Sequence, residues 1–242
     1  MTSSNRLKLF DNLIMGITMT KDYYADILHG KALERCYAIA PPRIRQYLKA
    51  EIDYVIQEVE GMNLVLDLGC GYGRVLSRLS PQVTTLVGID TSLPTLIYGS
   101  QFLSGFDNIR LVTMNAGILG FKPDQFDAVI CIQNGISVFR VDSHALVKEV
   151  ARVTKPGGLL LFSTYSPQFW NHRLEWFRLQ AEEGLIGEID EAKTGEGIIV
   201  SKDGFKATTF SEKSLQKLFS HHVSTVEVFE IDQSSIFLRA VV

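Results

Sequence analysis

The sequence is poor in cysteine, tryptophan and proline, and it has no long apolar run. Its 242 residues include three cysteines, Cys36, Cys70 and Cys131. An odd, scattered set makes no disulfide framework and no Cys-x-x-Cys metal clip, and it suits a reducing cytoplasm. No stretch approaches the roughly 20 apolar residues that span a bilayer. The polar start, Met1 to Asn5, does not lead into the apolar run of a secretory signal. Neither charge sign dominates: the formal net charge is -3, so no bulk field draws nucleic acid or an anionic membrane. No metal is expected, because no His, Cys, Asp and Glu grouping has ligand spacing; His221 and His222 adjoin, so their side chains diverge. No Pro/Gly/Ser-rich linker separates two halves. What remains is an ordinary globular mixture, 46% hydrophobic and 21% charged, long enough for one α/β domain.

The first 61 residues read as mainly helical, broken at Pro41-Pro42. Pro42 opens a helix carrying Ile44, Tyr47, Leu48, Ile52 and Val55, and Gly61 ends it. Strand-like and helix-like runs then alternate. Strands are expected at 63–68, 83–89, 109–114, 126–132 and 159–163, and helices at 74–79, 94–103 and 143–153. Continuous apolar strands alternating with helices predict a parallel sheet covered on both faces. The rhythm breaks after Tyr165. An aromatic-rich helix is expected at 168–183, a hairpin turning at Asp203-Gly204 with both turn residues at positive φ, a helix at 211–219, and a closing antiparallel pair at 223–231 and 235–242.

The segment with most chemical content is Val65-Leu66-Asp67-Leu68-Gly69-Cys70-Gly71-Tyr72-Gly73-Arg74. A buried strand runs into a glycine-rich turn and then a helix. The alternating glycines lack the Gly-x-Gly-x-x-Gly spacing of dinucleotide folds, and Asp67 beside the turn would repel a pyrophosphate. This segment resembles the first motif of class I S-adenosylmethionine-dependent methyltransferases, in which the loop holds the amino acid part of the cofactor. The resemblance extends over most of 62–242. It implies a Rossmann-like α/β fold with a seven-stranded, mainly parallel sheet and helices on both faces. An N-terminal helical cap would occupy 1–61, and a lid at 166–209 would be inserted into the methyltransferase domain at 62–242.

The same resemblance distributes roles. Asp67, Gly69, Cys70, Gly71 and Gly73 would form the cofactor loop. Asp90, ending Gly88-Ile89-Asp90, would accept hydrogen bonds from the ribose hydroxyls, with Thr91 beside it and Leu93 packed on the adenine. Asn115-Ala116 stands where many relatives have Asp-Ala, and turn chemistry is the competing reading of Asn115. Phe126–Gly135 resembles the fourth-strand motif of glycine N-methyltransferases and their small-molecule relatives. It brings Ile132 to the cofactor and Asn134 to the acceptor. The Pro-Pro-aromatic sequence of base-amine methyltransferases is absent, as is the paired-glutamate loop of protein arginine methyltransferases. The implied cofactor is S-adenosylmethionine, its product S-adenosylhomocysteine, and the implied partner a small-molecule acceptor.

Acceptor-facing residues are expected from the cap, the end of the fourth strand and the lid. Asn134 and Tyr165 are the candidates for positioning the acceptor. Tyr24, Arg43, Trp170 and Arg173 are candidates for binding it, since aromatics favour a cation and Arg pairs with an anion. His172 could serve as a base. Two other functions fit parts of the pattern: a non-enzymatic module that binds S-adenosylmethionine, and a nicotinamide-dependent dehydrogenase on a related fold. Oligomeric state has no signature in the sequence.

Overall fold

The computed structural model describes Tyr23 and residues 27–242. Tyr24 lies outside the described residues. From Lys31 on, two helices precede the sheet, α1 (Lys31–Ala38) and α2 (Pro42–Val59). Then follow β1 (Leu64–Leu68), α3 (Arg74–Leu79), β2 (Thr85–Asp90), α4 (Leu93–Phe102), β3 (Ile109–Thr113) and β4 (Phe126–Cys131). The chain continues with α5 (Ser143–Val153), β5 (Thr154–Tyr165), α6 (Trp170–Glu182), β6 (Ile199–Val200), β7 (Lys206–Ala207), α7 (Glu212–Phe219), β8 (Thr225–Ile231) and β9 (Ser235–Val241).

Seven strands form one sheet in the order β3-β2-β1-β4-β5-β9-β8. The first five are parallel, and β9 runs antiparallel to both β5 and β8. Alternation along each strand feeds two cores. Leu66 and Leu68 of β1, Leu160 and Phe162 of β5, and Leu238 of β9 pack on one face with α5 and α7. Val65, Leu159, Leu161 and Phe237 pack on the other with α2, α3 and α4. Both faces are therefore buried, which is why these strands read as continuous apolar runs. The last two turns of α2 (Ile52, Val55, Val59) belong to this second core, whereas Ile44, Tyr47 and Leu48 pack against Tyr165, Phe169 and Trp176.

Two local expectations need correction. The fifth strand begins at Thr154, not Leu159, because pairing with β4 jumps from Phe126–Thr154 to Ala128–Leu159. The Lys155–Gly158 stretch bulges between those registers, and a Cβ at Gly158 would stand 2.9 Å from the Asp127 carbonyl oxygen. The hairpin turn also differs. Only Gly204 has positive φ, at 98°; Asp203 does not. Gly204 N–H donates to Ser201 O at 3.2 Å and Ser201 N–H to Phe205 O at 3.0 Å. That is a three-residue loop ending in a left-handed glycine, which needs one positive φ instead of two. The Asp203 carboxylate accepts from the Tyr23 hydroxyl at 2.6 Å, so the turn is tied to the N-terminal segment.

Candidate active site at the ends of the parallel strands

A cavity of about 210 Å³ opens where β1, β2 and β4 end, the place where a parallel α/β sheet leaves a crevice. Its floor is the glycine turn. Gly69, Gly71 and Gly73 have φ of 69°, 54° and 91°, a region that side-chain-bearing residues rarely enter. Gly69 and Cys70 N–H donate to Ile89 O at 2.8 and 2.9 Å, tying the turn to β2. Asp90 completes the joint: one carboxylate oxygen accepts from Gly71 N–H at 3.0 Å and the other from Ser92 N–H at 2.8 Å. Asp90 therefore organises the loop as well as lining the cavity. Gly73 does not line it. A Cβ there would stand 2.4 Å from Leu103, so Gly73 serves helix packing.

An acidic and a basic side chain line this floor. Asp67 is buried, and one of its carboxylate oxygens has no hydrogen-bond partner among the described residues. Burial, reinforced by Asp90 and opposed by Arg74, pushes its carboxyl up to about 8. Arg74, the first residue of α3, also lines the cavity, and its Nε has no partner among the described residues. Its terminal nitrogen donates to Gln133 Oε1, and its guanidinium lies 4.3 Å from the Tyr37 ring centroid. A buried carboxyl and a half-buried guanidinium, each with one unpartnered atom, suit a zwitterionic amino acid group. The methionine end of S-adenosylmethionine is such a group.

At the far end Thr91, Asn115 and Ala116 line the cavity, with Ile132 from the end of β4. Asn115 Oδ1 already accepts from Gly117 N–H at 2.8 Å, the Asx turn of the competing reading, while the residue also lines the cavity. Leu93 is outside the lining and 54% exposed. Sequence reasoning missed Tyr72, Arg74, Gln133, Phe139 and Val141, all of which line the cavity. The apolar run Val138-Phe139-Arg140-Val141 between two polar turns was the available signal for the last two. It also missed Glu51, fully buried on α2. Glu51 accepts from Gln133 N–H at 2.8 Å and from the Ser235 hydroxyl, and burial pushes its carboxyl up to about 7. Gln133 and Asn134 have φ of 58° and 67°, so Glu51 holds a strained turn where the chain leaves β4.

Asn134 and Tyr165 both line the cavity. The Asn134 amide is engaged within the protein: Nδ2 donates to Thr208 O at 3.0 Å, and Oδ1 accepts from the Thr164 hydroxyl at 2.7 Å. It clasps the inserted segment onto β5. Arg43, Trp170 and Arg173 are not among the lining residues. Arg43 pairs with Asp232 at 2.5 Å and lies over the Phe169 ring. Arg173 is buried, donates to Gly197 O at 2.7 Å, and has its guanidinium 4.6 Å from the Tyr165 ring centroid. His172 is exposed and also outside the lining. Among the described residues no His, Cys, Asp and Glu cluster could hold a metal ion.

The sheet order and this cavity define a class of protein, and comparisons with known proteins agree on it. Residues 65–158 match the methyltransferase domain family. The uncharacterized methyltransferase YcgJ of Bacillus subtilis is 33% identical over 114 residues, 46% of this chain and 44% of that protein. The ubiquinone biosynthesis O-methyltransferase of Pseudomonas entomophila is 34% identical over 103 residues, 41% of this chain and 43% of that one. A probable tRNA methyltransferase 9B of Mus musculus is 32% identical over 136 residues, 55% of this chain and 27% of that one. The chain thus spans less than half the length of these relatives. Among solved structures, the PH0226 protein of Pyrococcus horikoshii superposes with a TM-score of 0.70 at 20% identity, covering 91% of this chain and 98% of that one. A SAM-dependent methyltransferase of Aquifex aeolicus gives 0.58 at 15% identity, covering 86% and 96%. The chain thus has the Rossmann-like fold of the solved methyltransferase structures, and its residues 65–158 match a methyltransferase domain.

Proposed function

We propose that the protein transfers the methyl group of S-adenosylmethionine to a small molecule by direct in-line displacement. The observation that carries this is the make-up of the cavity wall. Leu33 and Tyr37 of α1 line it together with Tyr165 at the end of β5 and with Phe177 and Ala207 of the inserted segment. Cap and lid thus both contribute to the cavity that Asp67 and Arg74 line. S-adenosylmethionine supplies an activated methyl on a sulfonium. The protein's part is to hold the nucleophile in line with it and exclude water, the source of much of the rate gain in such a displacement. Asp67 and Arg74 would grip the amino acid group, Asp90 the ribose, and Thr91, Asn115, Ala116 and Ile132 the adenine end. Tyr165 would face the acceptor, and Asn134 would keep the lid seated. We treat 1–61 as the cap, 62–242 as the methyltransferase domain and 166–209 as its lid. The buried free cysteines favour a reducing compartment, the cytoplasm.

Incubation with isotopically labelled S-adenosylmethionine, a small-metabolite panel and bulk tRNA, followed by mass spectrometry, tests this. Label in a small metabolite supports the reading. Label in tRNA replaces the acceptor class. Cofactor binding with no transfer to any acceptor would favour the sensor module, and binding of reduced nicotinamide in place of S-adenosylhomocysteine the dehydrogenase.

A further inference from the structure

A second, smaller cavity of about 70 Å³ adjoins the first between α1, α2 and α6. The two share Leu28, Leu33, Tyr37, Gln133, Tyr165 and Phe177, so the side cavity branches off at the cap-and-lid end. Cys36, Leu48, Trp176 and Gln180 complete its wall, in which four of the ten side chains are aromatic rings. No carboxylate, ammonium, guanidinium or imidazole among the described residues lines it.

Its polar groups are not equivalent. Trp176 Nε1 donates to Cys36 O at 2.9 Å. The Gln133 amide accepts from Arg74 and donates to Leu48 O at 3.4 Å. Gln180 is only 3% exposed, and no described residue is a hydrogen-bond partner of its side-chain amide. An amide in a cavity wall without a protein partner is available to a ligand group that both donates and accepts.

We infer that this side cavity seats the body of the methyl acceptor, that this body is an uncharged planar ring, and that Gln180 selects it by hydrogen bonding. The inference rests on the methyltransferase reading and narrows its substrate class. Aromatic walls favour a flat ring by stacking and edge contacts. A cationic ligand is disfavoured because the rings already carry cations. The Arg74 guanidinium lies 4.3 Å from the Tyr37 centroid, and that of Arg173 lies 4.6 and 5.7 Å from those of Tyr165 and Phe177. An anion would shed its hydration and meet no cationic donor on the wall.

The test uses four probes of similar size, 2-pyridone, phenol, benzoate and benzylammonium, titrated into the full chain saturated with S-adenosylhomocysteine. Binding in the side cavity is read from the indole N–H resonance of Trp176, one of two tryptophans. The neutral probes are expected to bind at least about tenfold more tightly than either ion. Gln180→Leu should weaken 2-pyridone about tenfold, the scale of one or two neutral hydrogen bonds, and change S-adenosylhomocysteine affinity less than about twofold. An ion binding as tightly as the neutral probes, no response at Trp176, or unchanged 2-pyridone binding in Gln180→Leu would overturn the inference. If that variant does not fold, the probe ranking on the unmodified protein decides. Failure of S-adenosylhomocysteine to bind is a separate result: it removes the methyltransferase reading, and the ranking on the free protein then decides whether a neutral-ring site exists.

Discussion

The sheet and its cover are built by different rules. In the sheet, burial follows alternation along each strand, and parallel neighbours join in near-continuous register. In the cover, the contacts join distant parts of the chain. Trp176 reaches Cys36 across 140 positions, and Tyr23 reaches Asp203 across 180. One small core gathers Tyr23, Leu28 and Cys36 with Phe177, Ile199 and Phe205, and another gathers Ile44 and Tyr47 with Tyr165, Phe169 and Trp176. Each such contact closes a long loop before it gains any packing, so the cover should be the less stable part. Damage to the sheet should therefore destroy the fold, while damage to the cover should affect acceptor handling.

The largest expected effect is that of Leu68→Asp, which puts a charge into the core beneath the site. It should cost about 4–5 kcal/mol or more and leave no cooperative thermal transition by circular dichroism. Phe205→Ala, in the cover, should cost about 3–5 kcal/mol of local packing. Hydrogen exchange should show the 186–207 amides losing protection while β1, β4 and β5 keep theirs. Simultaneous loss in both regions would break the distinction.

Next come the two acidic residues of the cavity, Asp67 and Asp90. Asp90→Ala should weaken S-adenosylhomocysteine by about 1.5–3 kcal/mol in calorimetry and slightly lower the melting temperature, because Gly71 and Ser92 lose their acceptor. Unchanged affinity in the folded variant would remove Asp90 from the site. Asp67→Asn should weaken binding by about 2 kcal/mol and carries a pH signature. The Asp67 carboxyl is raised from 3.8 to about 8 in the free protein. Its contribution to folding is thus fully present below about pH 4 and is lost as pH rises through about 8. Asp67→Asn should be more stable than the parent above pH 8. Near pH 7 an ammonium partner demands the ionised form, so binding should release a proton that the variant does not release. Calorimetry in two buffers of different ionisation enthalpy reads this directly.

Smaller effects probe the clasp and the rim. Asn134→Ala frees Thr208 from the end of β4 and should lower turnover about tenfold, with cofactor affinity changed less than about twofold. The reverse pattern would give Asn134 to the cofactor. Leu93→Ala should change stability and S-adenosylhomocysteine affinity by less than about 0.5 kcal/mol, since Leu93 is exposed and off the cavity wall. A larger loss of affinity would restore Leu93 to the adenine end.

Much of the sheet was legible in the sequence. Helices α3 and α5 fall where their apolar spacing puts them, and six of the seven strands of the main sheet begin and end within about two residues of expectation because apolar patterning reports buried faces. The glycine turn was legible because alternating glycines serve a turn in which all three take positive φ. Glu51 was not read, although it stands four residues after Tyr47 and four before Val55, on the apolar face of α2. A carboxylate on such a face signals a buried partner, here Gln133 and Ser235. Arg43, Trp170 and Arg173 have the residue types of an acceptor site, but residue type does not say which side of a helix meets a cavity and which meets another helix.

The sequence by itself determined the strands, the glycine turn and the acidic residues that end β1 and β2, because these depend on spacing within a few residues. Only the tertiary structure decided the fate of the aromatic and basic side chains of cap and lid. Arg173 went under a ring and Trp176 to a carbonyl 140 positions away, while Gln180 was left facing a cavity with its amide unmatched. The physical reason is range. Backbone geometry and alternation act between near neighbours, whereas which groups share a cavity depends on how distant segments settle against each other, and no local pattern encodes that.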